Sequence, residues 1–295
     1  LRFTTMGSSI RRTDLLALSN LRNDGRKPEE IRRMRVQLGP LVSVRGSALV
    51  EMGLTVVLAS VQGPLSCIRR SDELPDRALV DVTVKVAPFA PSGGDRKISN
   101  PNTDRRLVEL AHLLKKALEA TILLQLYPKS RLEVGVVVLA DDGGRLCAAI
   151  NAASAALIDG GIPVKDILSA CSAGYSGGTT DTTLVDLNRQ EESAHHGNGH
   201  GTAVCMPCAM LPQRGTLVLS QCEARLPDFA TLDRVLEAAT AGCRAVFDVL
   251  QAALRERASA LVGLRSGRGT VGNSFAAQVE GDGIVEYSTA MELGG

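Results

Sequence analysis

The 295-residue sequence is 44% apolar and 22% charged with a formal net charge of +1, the balance of an ordinary globular protein and too near neutral for a global field that gathers nucleic acid. No apolar run reaches the roughly 18 residues of a membrane span, and the basic stretch 1–12 has no apolar segment, so neither a spanning helix nor a secretory signal is expected. Aromatics are 3% with no Trp, so Leu, Val, Ile and Ala must build the core, and the seven cysteines, an odd count without framework spacing, read as buried small hydrophobes of a reducing, cytosolic or nuclear compartment.

Residues 1–20 are polar and aperiodic and read as a flexible basic arm; the first 35 residues hold nine Lys/Arg against four Asp/Glu, so any nucleic-acid contact must be local. Strands are expected at 34–44, 48–51 and 55–61, a meander broken at Arg45-Gly46 and Gly53, with Gly63-Pro64 ending the third strand. Residues 79–86 alternate, placing Val80, Val82, Val84 and Val86 on one face. A helix over 104–126 follows from Leu107, Leu110, Leu114, Ala117, Leu118, Thr121 and Leu124, and Pro128 stops it. A buried strand at 131–140 leads through the turn 141–144 to a small-residue helix at 147–158, ended by Gly160-Gly161 and Pro163. Strands at 168–175 and 182–187, a Gly/His-rich loop at 188–201, strands at 203–211 and 216–222, and a helix over 228–257 complete the order. Past Gly263 the pattern dissolves into a tail in which Ile284-Val285-Glu286-Tyr287 has the character of an edge strand. The order implies one α+β domain over 21–262, flanked by the arm 1–20 and the Gly-rich tail 263–295.

Several motifs stand in register along this frame. They are Leu21-Arg22-Asn23-Asp24-Gly25-Arg26-Lys27-Pro28, Gly46-Ser47-Ala48 with Glu51 and Gly53, Gly63-Pro64, Asp104-Arg105-Arg106, and Asn151-Ala152-Ala153-Ser154. Together they resemble RNase PH-like proteins over roughly residues 21–257. Leu74-Pro75-Asp76-Arg77-Ala78-Leu79-Val80, Ser169 to Gly174, Asp186-Leu187 and Glu191-Glu192 are similar to the RNase PH-type ring subunits of the RNA exosome. The resemblance implies an RNase PH fold (ribosomal protein S5 domain 2-like), with mixed sheets and packed helices. It also implies a hetero-oligomeric ring of six such subunits, a 45-type pair partner, RNA-binding cap subunits, and RNA threaded through a central channel. The compartments it implies are nucleus, nucleolus and cytoplasm, with no cofactor, membrane or DNA partner.

Phosphorolysis, the chemistry of active members, must hold inorganic phosphate beside an anionic phosphodiester, which calls for Arg forks and helix N-terminal amides together with carboxylates for Mg²⁺ or the leaving oxygen's proton. Arg105 and Arg106 fall in a helical first turn behind Asp104, a fitting N-cap. Two arginines there oppose the helix dipole, which suits an anion, although Asp104, Glu109 and solvent would also satisfy them. By the resemblance this pair grips RNA phosphate. Gly143, Gly144 and Arg145 form the candidate phosphate turn; anchored on Ala140-Asp141 its required Arg is Arg145, and anchored on Asn151-Ala152-Ala153 the position falls on Leu146, the longer anchor.

Active members read Glu-Glu-Asp and then Asp-Met, whereas this chain reads Glu191-Glu192-Ser193 and Cys205-Met206. Ser193 and Cys205 therefore take the two aspartate positions, and neither supplies the charged oxygen that Mg²⁺ wants; Glu191 and Glu192 remain, but in active members they accompany the aspartates instead of replacing them. The expectation is a non-catalytic RNA-channel subunit; the alternative is a residual phosphate-dependent 3′-to-5′ exoribonuclease, in concert with a 45-type subunit, using Glu191 or Glu192. His195, His196, His200, Cys205 and Cys208 resemble a zinc set, but Cys205 and Cys208 lie three apart on a strand and should face opposite sides. Arg69-Arg70, by resemblance, projects into the pore, and Arg96-Lys97 is a second candidate RNA contact; a solvated basic pair is the plainer reading of either.

Overall fold

Every residue from Cys147 to Leu157 is buried, because the helix that carries them, α2 (Arg145–Asp159), lies between two sheets instead of on the face of one. In this computed structural model the first sheet holds β1 (Met34–Leu38), β2 (Gly46–Met52), β3 (Thr55–Ser66), β4 (Leu79–Val86), β5 (Ser130–Ala140) and β10 (Val285–Tyr287), in the order β10-β1-β2-β3-β5-β4. The second holds β6 (Ser169–Gly177), β7 (Asp181–Val185), β8 (Val204–Leu211) and β9 (Thr216–Ser220), in the order β7-β6-β8-β9. The described residues are 21–22, 24–67, 69, 73–90, 104–177, 181–194, 204–222, 228–265 and 285–287.

Only β4 and β5 run parallel among these pairs, and a parallel pair needs a long crossover. Helix α1 (Arg105–Thr121) supplies it and packs on β4. Helix α4 (Phe229–Arg265) lies across β6 and β8, and the short α3 (Arg189–Ala194) follows β7. This is the α+β architecture of mixed sheets with packed helices that the sequence implied.

The family motifs have physical reasons in this packing. A Cβ at Gly46 would stand 2.3 Å from the Ala156 carbonyl oxygen and 2.4 Å from the Gly160 nitrogen, so glycine alone lets β2 meet the end of α2. The Asn151 side chain accepts from the Ala170 amide at 2.8 Å and donates to its carbonyl at 2.9 Å, while Ser154 Oγ accepts from the Leu168 amide at 3.1 Å. These bonds pin α2 to the start of β6 and satisfy buried groups on both sides.

Several bounds differ from the sequence reading. The first strand stops at Leu38, where Gly39 takes a φ of +72°. The third does not end at Gly63-Pro64: that peptide is cis, the register with β5 shifts between Gln62 and Leu65, and pairing resumes at Leu65 and Ser66. The bulge absorbs the missing proline donor. Helix α1 ends at Thr121, not 126, because Ile122 leaves it to bridge Val164, and Leu124 reaches the core from a single 3-10 turn, Leu124–Leu126. Residues 189–194 form α3 where a loop was expected, and α4 extends to Arg265. The edge strand expected near 284–287 is present, with Met34 opposite Tyr287.

Candidate anion cleft

Two buried arginines near the start of the described chain organise the acidic segment that follows β7. Arg32 holds Asp186 bidentately, at 2.8 Å to Oδ1 and 3.0 Å to Oδ2, and its backbone amide adds a bond of 2.8 Å to Oδ2. Burial opposes ionisation of Asp186, but the Arg32 guanidinium outweighs it and holds the carboxyl below its usual range. These three bonds also hold Asp186 at a φ of +53°, a conformation non-glycine residues seldom adopt. Arg32 reaches further, to the carbonyls of Asp142 at 3.1 Å and Gly143 at 3.3 Å.

Arg22 grips the Glu191 carboxylate, with Nε 2.8 Å from Oε1, and both side chains are fully buried. Glu191 Oε2 also accepts from the Asn188 amide at 2.9 Å, while Asn188 Oδ1 accepts from the Glu191 amide at 2.9 Å. That reciprocal pair is a capping box, and it starts α3. Asn188 Nδ2 donates to Asp24, which pairs with Arg26 at 2.9 Å. Asp24 resists burial through these partners, and its carboxyl lies below the usual range. The Arg-x-Asp-Gly-Arg motif thus works as a clamp on 186–192.

The clamp sets α3 against the glycine turn. Arg189 donates its amide to the Asp142 carbonyl at 2.9 Å, and a Cβ at Gly143 would lie 2.5 Å from the Arg189 nitrogen. Between α1, the start of α2 and α3 lies a cleft of about 340 Å³ lined by Arg106, Leu110, Asp141, Arg145, Leu146, Arg189 and Glu192. Asp141 pairs with Arg145 and stands 3.6 Å from Arg189. Glu192 Oε1 accepts from the Gly144 amide at 2.7 Å. Burial pushes the Glu192 carboxyl above its usual range, with Asp141 adding to the shift and the Gly144 bond and Arg32 opposing it.

The sequence-derived residues fall in different places. Asp104 is the N-cap of α1 as expected, accepting from the Arg106 amide at 3.1 Å, and Arg105 and Arg106 are exposed in a first turn that has no acidic residue. Gly144 is the N-cap residue of α2, and Arg145 and Leu146 open the helix side by side on the cleft. Ser193 lies on α3; Cys205 sits on β8 against Leu184 and Leu187. Cys208 faces the other side of β8, in the main core. Among the described residues no three His, Cys, Asp or Glu side chains are grouped to hold a metal, and His195, His196 and His200 lie outside them. Arg69 is exposed after β3, while Arg70, Arg96 and Lys97 lie outside the described residues.

Four cysteines, Cys147, Cys171, Cys208 and Cys243, are buried as expected, with thiols pushed up by desolvation, Cys243 to about 12. Cys222 is exposed, and Cys67 and Cys205 are half-buried. Reading by motif missed Arg32, Asp141, Arg189 and the role of Glu192. The capping-box spacing of Asn188 and Glu191 was the one local signal that could have revealed α3.

A model of the 3′ exoribonuclease family, domain 1 (RNase PH), matches residues 30–163. The chain is 40% identical over 255 residues to the exosome complex component RRP41 of Homo sapiens, covering 85% of this chain and 98% of that protein. It is 36% identical over 243 residues to the Rrp41 component of Methanopyrus kandleri, covering 82% and 95%. Its fold is similar to that of rice Rrp46, with a TM-score of 0.64 at 25% identity, covering 79% of this chain and all of that one. It is also similar to a chain of the Archaeoglobus fulgidus exosome with RNA bound to the active site, with a TM-score of 0.61 at 25% identity, covering 77% and 92%. Motifs, architecture and relatives agree: the chain belongs to the RNase PH family, among its exosome components of the Rrp41 type.

Proposed function

We propose that this chain is a non-catalytic structural and RNA-channel subunit of the RNA exosome core, working in 3′-to-5′ RNA processing and degradation in the nucleus, including the nucleolus, and in the cytoplasm. Its partners are RNA, a 45-type ring subunit and RNA-binding cap subunits. The observation that carries the reading is the engagement of both remaining acidic residues. Glu191 is buried on Arg22 and caps α3, and Glu192 is bound to the Gly144 amide. With Ser193 and Cys205 at the two aspartate positions, neither position offers the carboxylate that Mg²⁺ requires.

RNA contact falls to Arg105 and Arg106, exposed in the first turn of α1 with Arg106 lining the cleft, and to Arg69, exposed beyond β3. Arg70, Arg96 and Lys97 extend the same role, and Gly143, Gly144 and Arg145 form a phosphate turn that no longer serves turnover. Affinity for single-stranded RNA, titrated against salt with the chain in its reconstituted ring, tests the grip. Arg105→Ala and Arg106→Ala should each reduce the slope of log affinity against log salt by about 0.7. Crosslinks from RNA to Arg69 are expected in the same assembly. Unchanged slopes together with no crosslink would mean that the subunit never touches RNA.

A further inference from the structure

Arg69, exposed beyond β3, lies in a stretch whose two ends are tied to one residue. The Lys129 amide donates to the Leu74 carbonyl at 3.0 Å, and the Lys129 carbonyl accepts from the Cys67 thiol at 3.7 Å. The pairing of β3 with β5 leads to the same place: Leu65 stands opposite Arg131 and Ser66 opposite Ser130, so Cys67 comes level with Lys129. Arg69 follows Cys67 by two residues, which keeps the two Cα atoms within about 7 Å of each other.

We propose that Lys129 is a further RNA-binding residue of this surface, holding a backbone phosphate of the strand that Arg69 contacts. The inference rests on the RNA-channel reading and deepens it, adding a contact that lies outside every motif.

Backbone geometry supplies the first support. Lys129 takes a φ of +56°, and among the described residues Asp186 alone shares a positive φ without being glycine. Lys129 stands third in the turn 127–130, behind Pro128, at the place where a positive φ is ordinarily left to Gly or Asn. Ser130 Oγ fastens the turn by donating to the Tyr127 carbonyl at 2.8 Å. The ties to Leu74 and Cys67 use only backbone atoms of Lys129, and glycine would make them with less strain, so the lysine side chain is what the position adds. Charge supplies the second. Lys129 is exposed, and among the described residues no carboxylate pairs with it. Arg69, Arg77 and Lys129 are exposed in these segments against Glu73 and Asp76, a positive balance. An unpaired cation meets an RNA phosphate without first giving up a protein partner.

The test is the affinity of the reconstituted ring for single-stranded RNA, titrated against salt. Lys129→Gly removes the charge and suits the positive φ, so the backbone ties to Leu74 and Cys67 are kept. It should lower the slope of log affinity against log salt by about 0.7. Lys129→Asn, which also tolerates that conformation, should repeat the loss, while Lys129→Arg keeps the charge and should hold the parent slope. Thermal melting and sizing of the assembled ring establish that each variant is folded and incorporated. Arg69→Ala is measured alongside. Parent slopes for Lys129→Gly and Lys129→Asn, with a lowered slope for Arg69→Ala, would overturn the proposal and leave the RNA-channel reading standing. Parent slopes for all three would overturn both the proposal and the assignment of Arg69 to RNA.

Discussion

At the scale of single residues, the ion pairs around 186–192 carry opposite pH signatures. Asp186 is held below its ordinary value by Arg32, so the pair's stabilisation is complete above the usual carboxylate range and is lost as pH falls through the depressed value. Glu192 is raised by burial. Between its ordinary and its raised value the folded chain keeps a proton that the unfolded chain has released, so stability falls as pH rises through that window. Asp186→Asn should cost about 3–5 kcal/mol at neutral pH, because it leaves the Arg32 charge buried and uncompensated. Urea midpoints measured across pH should then show a flatter acid limb than in the parent. Glu192→Gln should remove the decline on the other side, and an unchanged profile would show that the carboxyl titrates as it does in the unfolded chain.

At the scale of elements, α2 organises the fold through contacts that tolerate little change. Gly46→Ala places a methyl against the Ala156 carbonyl and should cost about 3 kcal/mol, the upper end for overpacking, because backbone cannot rotate aside as a side chain can. Asn151→Ala removes two bonds to Ala170 and leaves its buried amide and carbonyl unsatisfied, about 1–3 kcal/mol for each group. Both losses can be read from chemical denaturation at constant slope. Elements with one-sided burial were legible in the sequence: 79–86 matched at both ends because alternation marks a strand with one buried face. Helix α3 was not, since its six residues, five of them polar, carry no apolar period and only its cap spacing marks it. Nor was the passage of β3 through Gly63-Pro64, where a bulge supported by β5 overrides the local stop signal.

At the scale of the whole molecule, the motifs identified the family, while the cleft depended on pairings that no local pattern encodes. Arg32 and Asp186 are 154 positions apart, and Arg22 and Glu191 are 169 apart. Their residue types were visible in sequence, but their roles as a clamp were not, because each looks like an ordinary charge until the fold joins it to its partner. The same clamp would let the architecture persist whatever residues stand at positions 193 and 205. The Arg22, Arg26 and Arg32 network holds 186–192 in place with or without chemistry beside it.

The claim that this subunit guides RNA without cutting it is tested most directly by product formation. The chain alone, its pair with a 45-type subunit and the reconstituted ring should each be incubated with single-stranded RNA, Mg²⁺ and inorganic phosphate, and nucleoside diphosphate release measured. The account predicts no phosphate-dependent release in any of the three, with RNA still bound by the ring. Sustained release that is abolished by Glu191→Gln with Glu192→Gln would contradict it and establish a working phosphorolytic centre.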